Sequence, residues 1–533
     1  MRLLSIIMYL CGINQYVMTK YPIGIQTFSK IIEDGYLYID KTALVHRLVS
    51  DGGYYFLSRP RRFGKSLLLT TIEAYFLGKK ELFKGLAMER LESDWTIHPV
   101  FHLDLNTGKY TTPEALTSNF EWHLSQWEKT YGLAADDRPL SDRFKSIISQ
   151  AYAQTGQKVV ILVDEYDKPL LEAIGDETLQ NDYRKTLKSV YGVAKSMDAC
   201  IRFAFFTGVS KFSKVSVFSD LNNMKDLTMN PLFAEICGIT EKEIRNNLDA
   251  EVEQMAVTNH LTKDMCYDKL KENYDGYHFS KDSVGMYNPF SLLNALYDRQ
   301  FNDYWFETGT PTFLVETLKH NRYRLDDLTR EEVTADLLGS LDSIDTNPLP
   351  LLYQTGYLTI TQYNPRFETY LLGFPNGEVE RSFTRFLFKY YAPIRVDQSA
   401  SFIKNFTLEV EGGQPERFMA RLEAMFANQD YQLVGDAELY FHNVIGLVFK
   451  LLGFYVDVER HTTDGRMDML VQTSDYIYLF EFKMDRSAED ALAQIDEKQY
   501  AKPFEHDPRK LFKIGVNFSS ATKRMDGWKA IER

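Results

Sequence analysis

The sequence predicts an α/β protein that begins with a mainly parallel sheet, continues through a helical connector and ends in a smaller α/β domain. Apolar, β-rich runs alternate with stretches of helical periodicity in the first part of the chain, as expected for strands joined by crossover helices. The run 159–163 is aliphatic throughout, which is typical of a strand buried on both faces. From residue 435 onward, an almost wholly apolar helix precedes alternating strands.

Length and composition exclude several classes of protein. The 533 residues are enough for about three or four domains. Hydrophobic residues make up 44% and charged residues 25%, which excludes a collagen-like, low-complexity or disordered chain. A net charge of -13 is unlike that of proteins that coat DNA through bulk charge, so any nucleic-acid contact must be local. The 4 cysteines form no CxxC pair, which indicates neither a zinc ribbon nor a disulfide framework and favours a reducing cytoplasm.

We predict four segments. Residues 1–17 are interpreted as a tail or a start-site extension, because the apolar run 3–10 is too short to span a bilayer and Met18 offers a later start. Residues 18–235 are predicted to form a parallel α/β domain and residues 236–434 a mostly helical lid or connector with a small wing. Residues 435–533 are predicted to form a final α/β domain. No later segment has a transmembrane pattern, so no membrane partner is expected.

Periodicity predicts the individual elements in chain order. After an ordered pattern at 36–40, the first domain is expected to contain strands at 54–58, 100–105, 159–163 and 201–207 and helices at 42–50, 67–76, 113–130, 140–155 and 179–196. The connector is expected to form a hairpin from 358–363 and 370–374, and then helices over 380–433. The last domain should open with a helix at 439–452 and continue as three strands that end at Lys483.

A phosphate-binding loop is predicted between the first strand and its helix. The general pattern is GxxxxGK followed by Ser or Thr, because backbone N–H groups curl around phosphate oxygens while the lysine and hydroxyl reach the terminal phosphates and magnesium. Gly64, Lys65 and Ser66 fit this pattern, whereas Arg59 stands where the first glycine belongs. The alternative is that Gly-Lys-Ser merely starts a helix.

An acidic pair follows the buried run 159–163. Nucleotide hydrolysis needs a carboxylate at the end of such a strand to hold the magnesium shell and a second one to orient water. Asp164 and Glu165 occupy those positions. A solvated strand end or a helix cap would look the same, but the phosphate loop upstream favours the nucleotide site.

Three further residues are weaker candidates for nucleotide binding. Thr207, at the end of the fourth strand, is a candidate sensor hydroxyl for the γ-phosphate, although Thr before Gly is as often a turn former. Arg61 and Arg62 would add positive charge near the phosphates, while solvation at the surface is the default for exposed arginines.

A second cluster of charged residues lies near the C-terminus. Glu481 and Lys483 must project to one face of their strand, because strand side chains alternate with period two. Asp468, on the neighbouring strand, would meet Glu481 to hold a divalent cation, while Lys483 steadies the attacking water or the phosphate. The alternative is an edge-strand ion pair with Asp468 in a turn.

In these motifs the chain resembles a family of bacterial proteins with an AAA-ATPase-like N-terminal region and a PD-(D/E)XK nuclease-like C-terminal region. The N-terminal resemblance lies in residues 21–24, 38–42, 59–66 (RPRRFGKS), 163–167 and 206–223. It implies a P-loop NTPase fold that binds ATP, with Phe63 inside the loop. Arg59 departs from the general phosphate loop but not from this family.

The C-terminal resemblance rests on the residues that match the PD-(D/E)XK pattern, Asp468, Glu481 and Lys483. Met467 replaces the usual proline. The resemblance implies that Glu438, on the preceding helix, assists the metal, and that Gln494 and Tyr500 lie near the site. His442, one turn after Glu438, is more often a satisfied core residue than a ligand.

Together the two sites predict a cytoplasmic ATPase that controls a nuclease, with ATP and Mg2+ as cofactors and Mn2+ as an alternative at the nuclease site. Nucleic acid, with DNA as the expected form, is the implied partner, and a homo-oligomer is compatible with this class. Two alternatives remain open: a nucleotide-dependent switch whose nuclease-like domain binds nucleic acid or protein without cleavage, and a signalling scaffold. An excess of Lys and Arg over 498–533 supports phosphate binding only mildly, since a solvated helix face would look the same.

Overall fold

The computed structural model describes residues 19–134, 137–211, 217–218, 221, 223–306, 312–320, 322–339, 347–427, 437–463 and 466–533. The predicted tail at 1–17 and part of 206–223 lie outside these residues, as do the side chains of 459–468. The chain divides into two compact units. The first comprises the described residues within 1–305, 336–342 and 353–360, and the second those within 306–335, 343–352 and 361–533. The boundaries at 235 and 434 stay predictions.

The first unit is built around a parallel five-stranded sheet in the order β2-β3-β4-β1-β5. Its strands are β1 (Gly53–Ser58), β2 (Val100–Asp104), β3 (Val159–Asp164), β4 (Ile201–Gly208) and β5 (Met224–Asp226). Every residue of β3 is buried, which confirms the prediction from its aliphatic run. Because all five strands are parallel, their carboxyl ends meet at one edge, where the candidate residues lie.

The helices of the first unit cover this sheet and continue into the predicted connector. They are Phe28–Glu33, Thr42–Ser50, Lys65–Phe76, Ala87–Leu91, Pro113–Thr130, Leu140–Thr155, Lys168–Glu172, Glu177–Tyr191, Val193–Ser196, Glu241–Asn247, Asp249–Thr258, Lys263–Tyr274 and Pro289–Asp298. The last four bury an apolar cluster of their own that includes Leu248, Leu270 and Leu292. Two short helices, Ala335–Leu338 and Leu349–Thr355, contain residues of both units.

The second unit contains a mixed five-stranded sheet in the order β13-β12-β11-β10-β9, with only β11 and β12 parallel. Its strands are β9 (Asp457–Thr463), β10 (Arg466–Gln472), β11 (Tyr476–Met484), β12 (Lys510–Ser519) and β13 (Arg524–Glu532). Its helices are Thr312–His320, Gly377–Tyr391, Ser399–Glu411, Pro415–Ala427, Ala437–Leu452 and Ala488–Glu497. A small sheet in the order β6-β8-β7 is formed by β6 (Glu332–Thr334), β7 (Thr359–Asn364) and β8 (Thr369–Gly373).

The α/β fold class is confirmed, and several local predictions need correction. The pattern at 36–40 forms neither a helix nor a strand, and the helix predicted at 179–196 is interrupted at Gly192. Strands β5, β6, β12 and β13 were not predicted. Of the nine Lys and Arg residues of 498–533, four lie on β12 and β13 and none lies within an α-helix. Among the described residues, no helix is long and apolar enough to cross a membrane.

Close packing of helix Ala488–Glu497 on β12 depends on Gly515. A Cβ atom at this position would lie 2.2 Å from the carbonyl oxygen of Ala488 and 3.0 Å from the Cβ of Ala491. We predict that Gly515→Ala lowers the free energy of unfolding of the second unit by about 1–3 kcal/mol, because the helix must move away from the strand. Calorimetry of thermal unfolding measures this loss. Gly453→Ala, whose Cβ would meet nothing closer than 3.3 Å, is the matched control; equal unfolding temperatures for the two variants would contradict the prediction.

Candidate nucleotide and nuclease sites

The phosphate loop connects β1 to helix Lys65–Phe76 as predicted. Gly64 immediately precedes the helix with φ +90°, a left-handed conformation that glycine adopts without strain. Lys65 starts the first turn and is only 4% exposed, so its ammonium group points into the protein. The N-terminus of this helix presents unpaired backbone N–H groups of the kind that bind phosphate oxygens.

Arg59 has a structural role that the sequence did not reveal. Its buried guanidinium donates hydrogen bonds to the carbonyls of Ser58 (2.9 Å), Thr228 (2.9 Å) and Phe233 (3.2 Å). The same group lies over the ring of Phe279, 4.0 Å from its centroid. The residue at the first glycine position of the general pattern thus ties the loop to two distant segments of the same unit.

The other loop residues differ in their burial. Phe63 is buried, with its ring edge-to-face against Tyr277 and Phe279, so it anchors the loop. Arg61 and Arg62 are exposed, in the solvated environment that the sequence analysis gave as their default. Arg62 also lies over the ring of Phe290, 4.6 Å from its centroid.

Asp164 and Ser66 meet at the carboxyl edge of the sheet. Asp164 is 5% exposed, and its Oδ1 has no hydrogen-bond partner in the described part of the chain. Burial, followed by the negative charge of Glu165, raises the pKa of Asp164 to about 6, while a hydrogen bond with Ser66 and the charge of Lys65 oppose the shift. A buried carboxylate oxygen beside a hydroxyl is a donor set that suits Mg2+, so these residues fit the predicted metal.

Glu165 lies beside Lys65. The Lys65 Nζ is 3.2 Å from the Glu165 Oε1, so the residue predicted to bind phosphates and the residue predicted to orient water form an ion pair. Glu165 has φ +51°, a conformation that costs free energy for any residue except glycine and that often occurs at functional sites. The site therefore collects a lysine, a serine hydroxyl and two carboxylates.

Asp167 is a functional candidate that the sequence analysis missed. Its wholly buried carboxylate accepts hydrogen bonds from the backbone N–H of Val209 (3.3 Å) and from the N–H and hydroxyl of Ser210 (2.6 and 2.5 Å). It therefore fixes the segment that leaves β4. Thr207 lies within β4 and not in a turn, and its hydroxyl donates to the carbonyl of Leu57 at 2.8 Å. Its sensor role stays a prediction.

The C-terminal cluster is assembled on one face of β11. Glu481 is 0% exposed, and Lys483 Nζ donates to Glu481 Oε1 at 2.5 Å and to Gln494 Oε1 at 2.6 Å. The backbone register places Asp468 directly opposite Glu481, although the Asp468 side chain lies outside the described part of the structure. Gln494 is thus close to the pair, as the resemblance implied. Among the described residues, no group of three or more His, Cys, Asp or Glu side chains could hold a metal ion.

The other candidate residues of this domain occupy different surroundings. Helix Ala437–Leu452 packs through Phe449 on Phe480 and Phe482, the face of β11 opposite to Glu481. Glu438 is exposed in its first turn, so its metal role stays a prediction without support from this geometry. His442 Nε2 lies 2.6 Å from Asp326 Oδ2, which agrees with a satisfied core histidine.

Two remaining features of the C-terminal region concern packing and charge. Tyr500 packs against the apolar cluster beneath helix Ala488–Glu497. At least five of the nine Lys and Arg residues over 498–533 form ion pairs, namely Arg509–Asp507, Lys510–Glu532, Lys513–Asp496, Lys529–Glu489 and Arg533–Glu505. Three of these carboxylates belong to the same segment, so of the five only Asp496 and Glu489 lower its excess of positive charge, and the argument for a nucleic-acid surface is weakened only in part.

These arrangements are those of a P-loop-type α/β domain and a nuclease-like domain in one chain. Residues 22–218 match the family described as "Predicted AAA-ATPase", and residues 436–528 match a family of the PD-(D/E)XK nuclease superfamily. A protein of Azotobacter chroococcum mcd 1 described as "Uncharacterized protein in vnfD 5'region" is 36% identical over 523 residues, which cover 96% of this chain and 98% of that protein. The chain belongs to the family that joins an AAA-ATPase-like domain to a C-terminal PD-(D/E)XK nuclease superfamily domain.

The raised pKa of Asp164 leads to a pH-dependent prediction. Its folded-state pKa of about 6 exceeds the ordinary value of 3.8, so the cost of the charged carboxylate to stability is absent below about pH 3.8, grows as the pH rises and is complete above about pH 6. Asp164→Asn should therefore raise the free energy of unfolding at about pH 8, in EDTA, by about 2–3 kcal/mol, and the gain should shrink on acidification. Denaturant titrations at several pH values measure it. The exposed Asp94→Asn is the control; the same pH profile in both variants would refute the prediction.

A second prediction concerns Arg59. Arg59→Gly restores the general loop pattern, yet we expect it to weaken ATP binding at least tenfold, because hydrogen bonds from a charged donor contribute about 1.5–3 kcal/mol each. Titration with a fluorescent ATP analogue measures the dissociation constant, with thermal unfolding to verify folding. Arg138→Gly, at an exposed loop arginine, is the control. An affinity equal to that of the wild type would show that the Arg59 contacts do not support the loop.

Proposed function

We propose that this protein is a cytoplasmic ATPase whose nucleotide state controls a metal-dependent nuclease that acts on DNA. The observation that carries the proposal is the buried Asp164 beside Ser66 and Lys65, with one carboxylate oxygen that no described residue satisfies. A bound cation would satisfy that oxygen. Homo-oligomer formation is part of the proposal, because ATPases of this type often take a catalytic arginine from a neighbouring subunit.

The residues of the nucleotide site have distinct proposed roles. Lys65 and Ser66 bind the phosphates and Mg2+, Asp164 completes the metal shell, and Glu165 orients the attacking water. ATP supplies the phosphoryl group, and Mg2+ neutralises its charge. The ion pair between Lys65 and Glu165 supports this assignment, because the ammonium group of one and the carboxylate of the other lie side by side.

The nuclease half of the proposal rests on β10 and β11. Asp468 and Glu481 are the proposed ligands of Mg2+ or Mn2+, which supplies an activated water when bound. Lys483 is proposed to steady the phosphate or the water. Gln494 supports this role, since its side-chain oxygen holds the Lys483 ammonium group at 2.6 Å.

A second candidate function is favoured by the burial of this cluster. Glu481 is wholly inaccessible to solvent, and its carboxylate accepts a hydrogen bond from Lys483. Such a pair is electrostatically balanced without a metal. The alternative is therefore a nucleotide-dependent switch whose nuclease-like domain binds nucleic acid or protein without cleavage.

Cleavage of plasmid and single-stranded DNA tests the main proposal, with Mg2+ or Mn2+ and with or without ATP. We predict that Glu481→Gln abolishes cleavage, whereas Lys65→Ala lowers ATP hydrolysis by about 100-fold or more, because Lys65 would stabilise developing phosphate charge. Glutamine is chosen at residue 481 because it still offers Lys483 an acceptor. A change of the cleavage rate with ATP in the wild type, lost in Lys65→Ala, would support coupling.

Matched controls separate site effects from damage to the fold. Glu489→Gln and Lys79→Ala alter exposed residues of the same two units and should leave both activities unchanged. Cleavage that survives in Glu481→Gln would contradict the nuclease assignment. No cleavage by the wild type under any condition, together with retained DNA binding, would favour the switch.

A further inference from the structure

A third carboxylate, that of Asp104, lies next to the proposed magnesium site, and no motif or family description assigns it a role. Strands β2 and β3 are parallel, and Asp104 is directly opposite Asp164 at the last residue of both strands. Residues paired in this way project to the same face of a sheet. The backbone N–H that follows, that of Leu105, donates to the carbonyl of Asp164 at 3.2 Å, so the pairing continues beyond the strand end.

The two carboxylates differ in their exposure. Asp104 is partly exposed, whereas Asp164 is almost wholly buried. At the same sheet edge, Asp104 therefore offers a carboxylate that solvent can reach, beside one that it hardly reaches.

Local structure explains the position of Asp104 but not its charge. Its Oδ1 accepts a hydrogen bond from the N–H of Asn106 at 2.7 Å, which forms an Asx turn. Asparagine would form the same turn without a negative charge. A second negative charge beside the buried Asp164 costs free energy unless a cation lies between them or near them.

We propose that Asp104 is a further carboxylate of the magnesium–nucleotide site and that it acts with Asp164 and Ser66 to hold the cation through its hydration shell. Mg2+ usually keeps several waters and is bound by one or two carboxylates together with substrate phosphates, which this arrangement provides. The inference rests on the proposed ATPase function. Asp104 is a positioning residue in this scheme, because it acts on the metal through water.

The decisive variant is Asp104→Asn, which keeps the Asx turn and removes the charge. Binding of a fluorescent ADP analogue to the full chain is followed while Mg2+ is titrated at a fixed nucleotide concentration. We expect the Mg2+ concentration at half-saturation to rise about 10–100-fold, as for other outer-shell groups of metal sites, while binding in EDTA stays unchanged. Mn2+ binding measured by electron paramagnetic resonance gives a readout that does not depend on activity.

Two comparisons make the outcomes distinguishable. Asp94→Asn, an exposed carboxylate that accepts a hydrogen bond from Thr96, should have the wild-type midpoint. If Asp104→Asn is unstable, Asp104→Ser replaces it, because a serine hydroxyl can accept the same N–H bond. If the wild type binds the nucleotide equally well with and without Mg2+, the ATPase proposal itself is overturned. A Mg2+-dependent wild type with an unchanged midpoint in Asp104→Asn would overturn only the role of Asp104.

Discussion

Compensation of buried charges is the constraint on which both sites depend. A carboxylate removed from water must be paired with a cation or with hydrogen-bond donors, or it will be protonated instead. Asp167 meets this condition with two backbone N–H groups and the Ser210 hydroxyl. Glu481 meets it with the Lys483 ammonium group. Asp164 meets it through Ser66 and Lys65, with one carboxylate oxygen that no described residue satisfies.

Both candidate sites place a lysine beside a carboxylate, Lys65 with Glu165 and Lys483 with Glu481. At the nucleotide site, a cation bound at Asp164 would also relieve part of the cost of burying that carboxylate. In the nuclease-like site the charges of Glu481 and Lys483 already balance, and both side chains are buried. Metal binding there must compete with the Lys483 hydrogen bonds, and a substrate phosphate must reach a covered face of β11. At the nucleotide site Lys65 is likewise buried and ion-paired with Glu165, so a phosphate or metal that binds at either site must compete with an existing ion pair.

Sequence patterns predicted those features of the structure that depend on residues close together in the chain. Periodicity located helices 113–130 and 140–155 and the buried strand at 159–163, and strand alternation placed Glu481 and Lys483 on one face. Contacts between distant residues could not be foreseen. Asp167 bonds to Ser210, 43 residues away, and the partners of Arg59 at Thr228 and Phe233 are 169 and 174 residues away. Strand β12 was missed although its run 510–519 is rich in apolar residues, because its two lysines interrupt the apolar pattern and were interpreted only as part of the basic excess over 498–533.

The contacts of Arg59 also explain how a phosphate loop can lack its first glycine. Glycine is normally needed where backbone must turn sharply around phosphate, and here the left-handed positions are Arg62 and Gly64 instead. The strain at Arg62 is tolerated because the surrounding loop is held by buried groups: the Arg59 guanidinium, the Phe63 ring and the Trp305 indole, which donates to the carbonyl of Arg61. A loop fixed in this way loses little conformational entropy when phosphate binds, so rigidity supplied by distant segments can replace the flexibility of glycine.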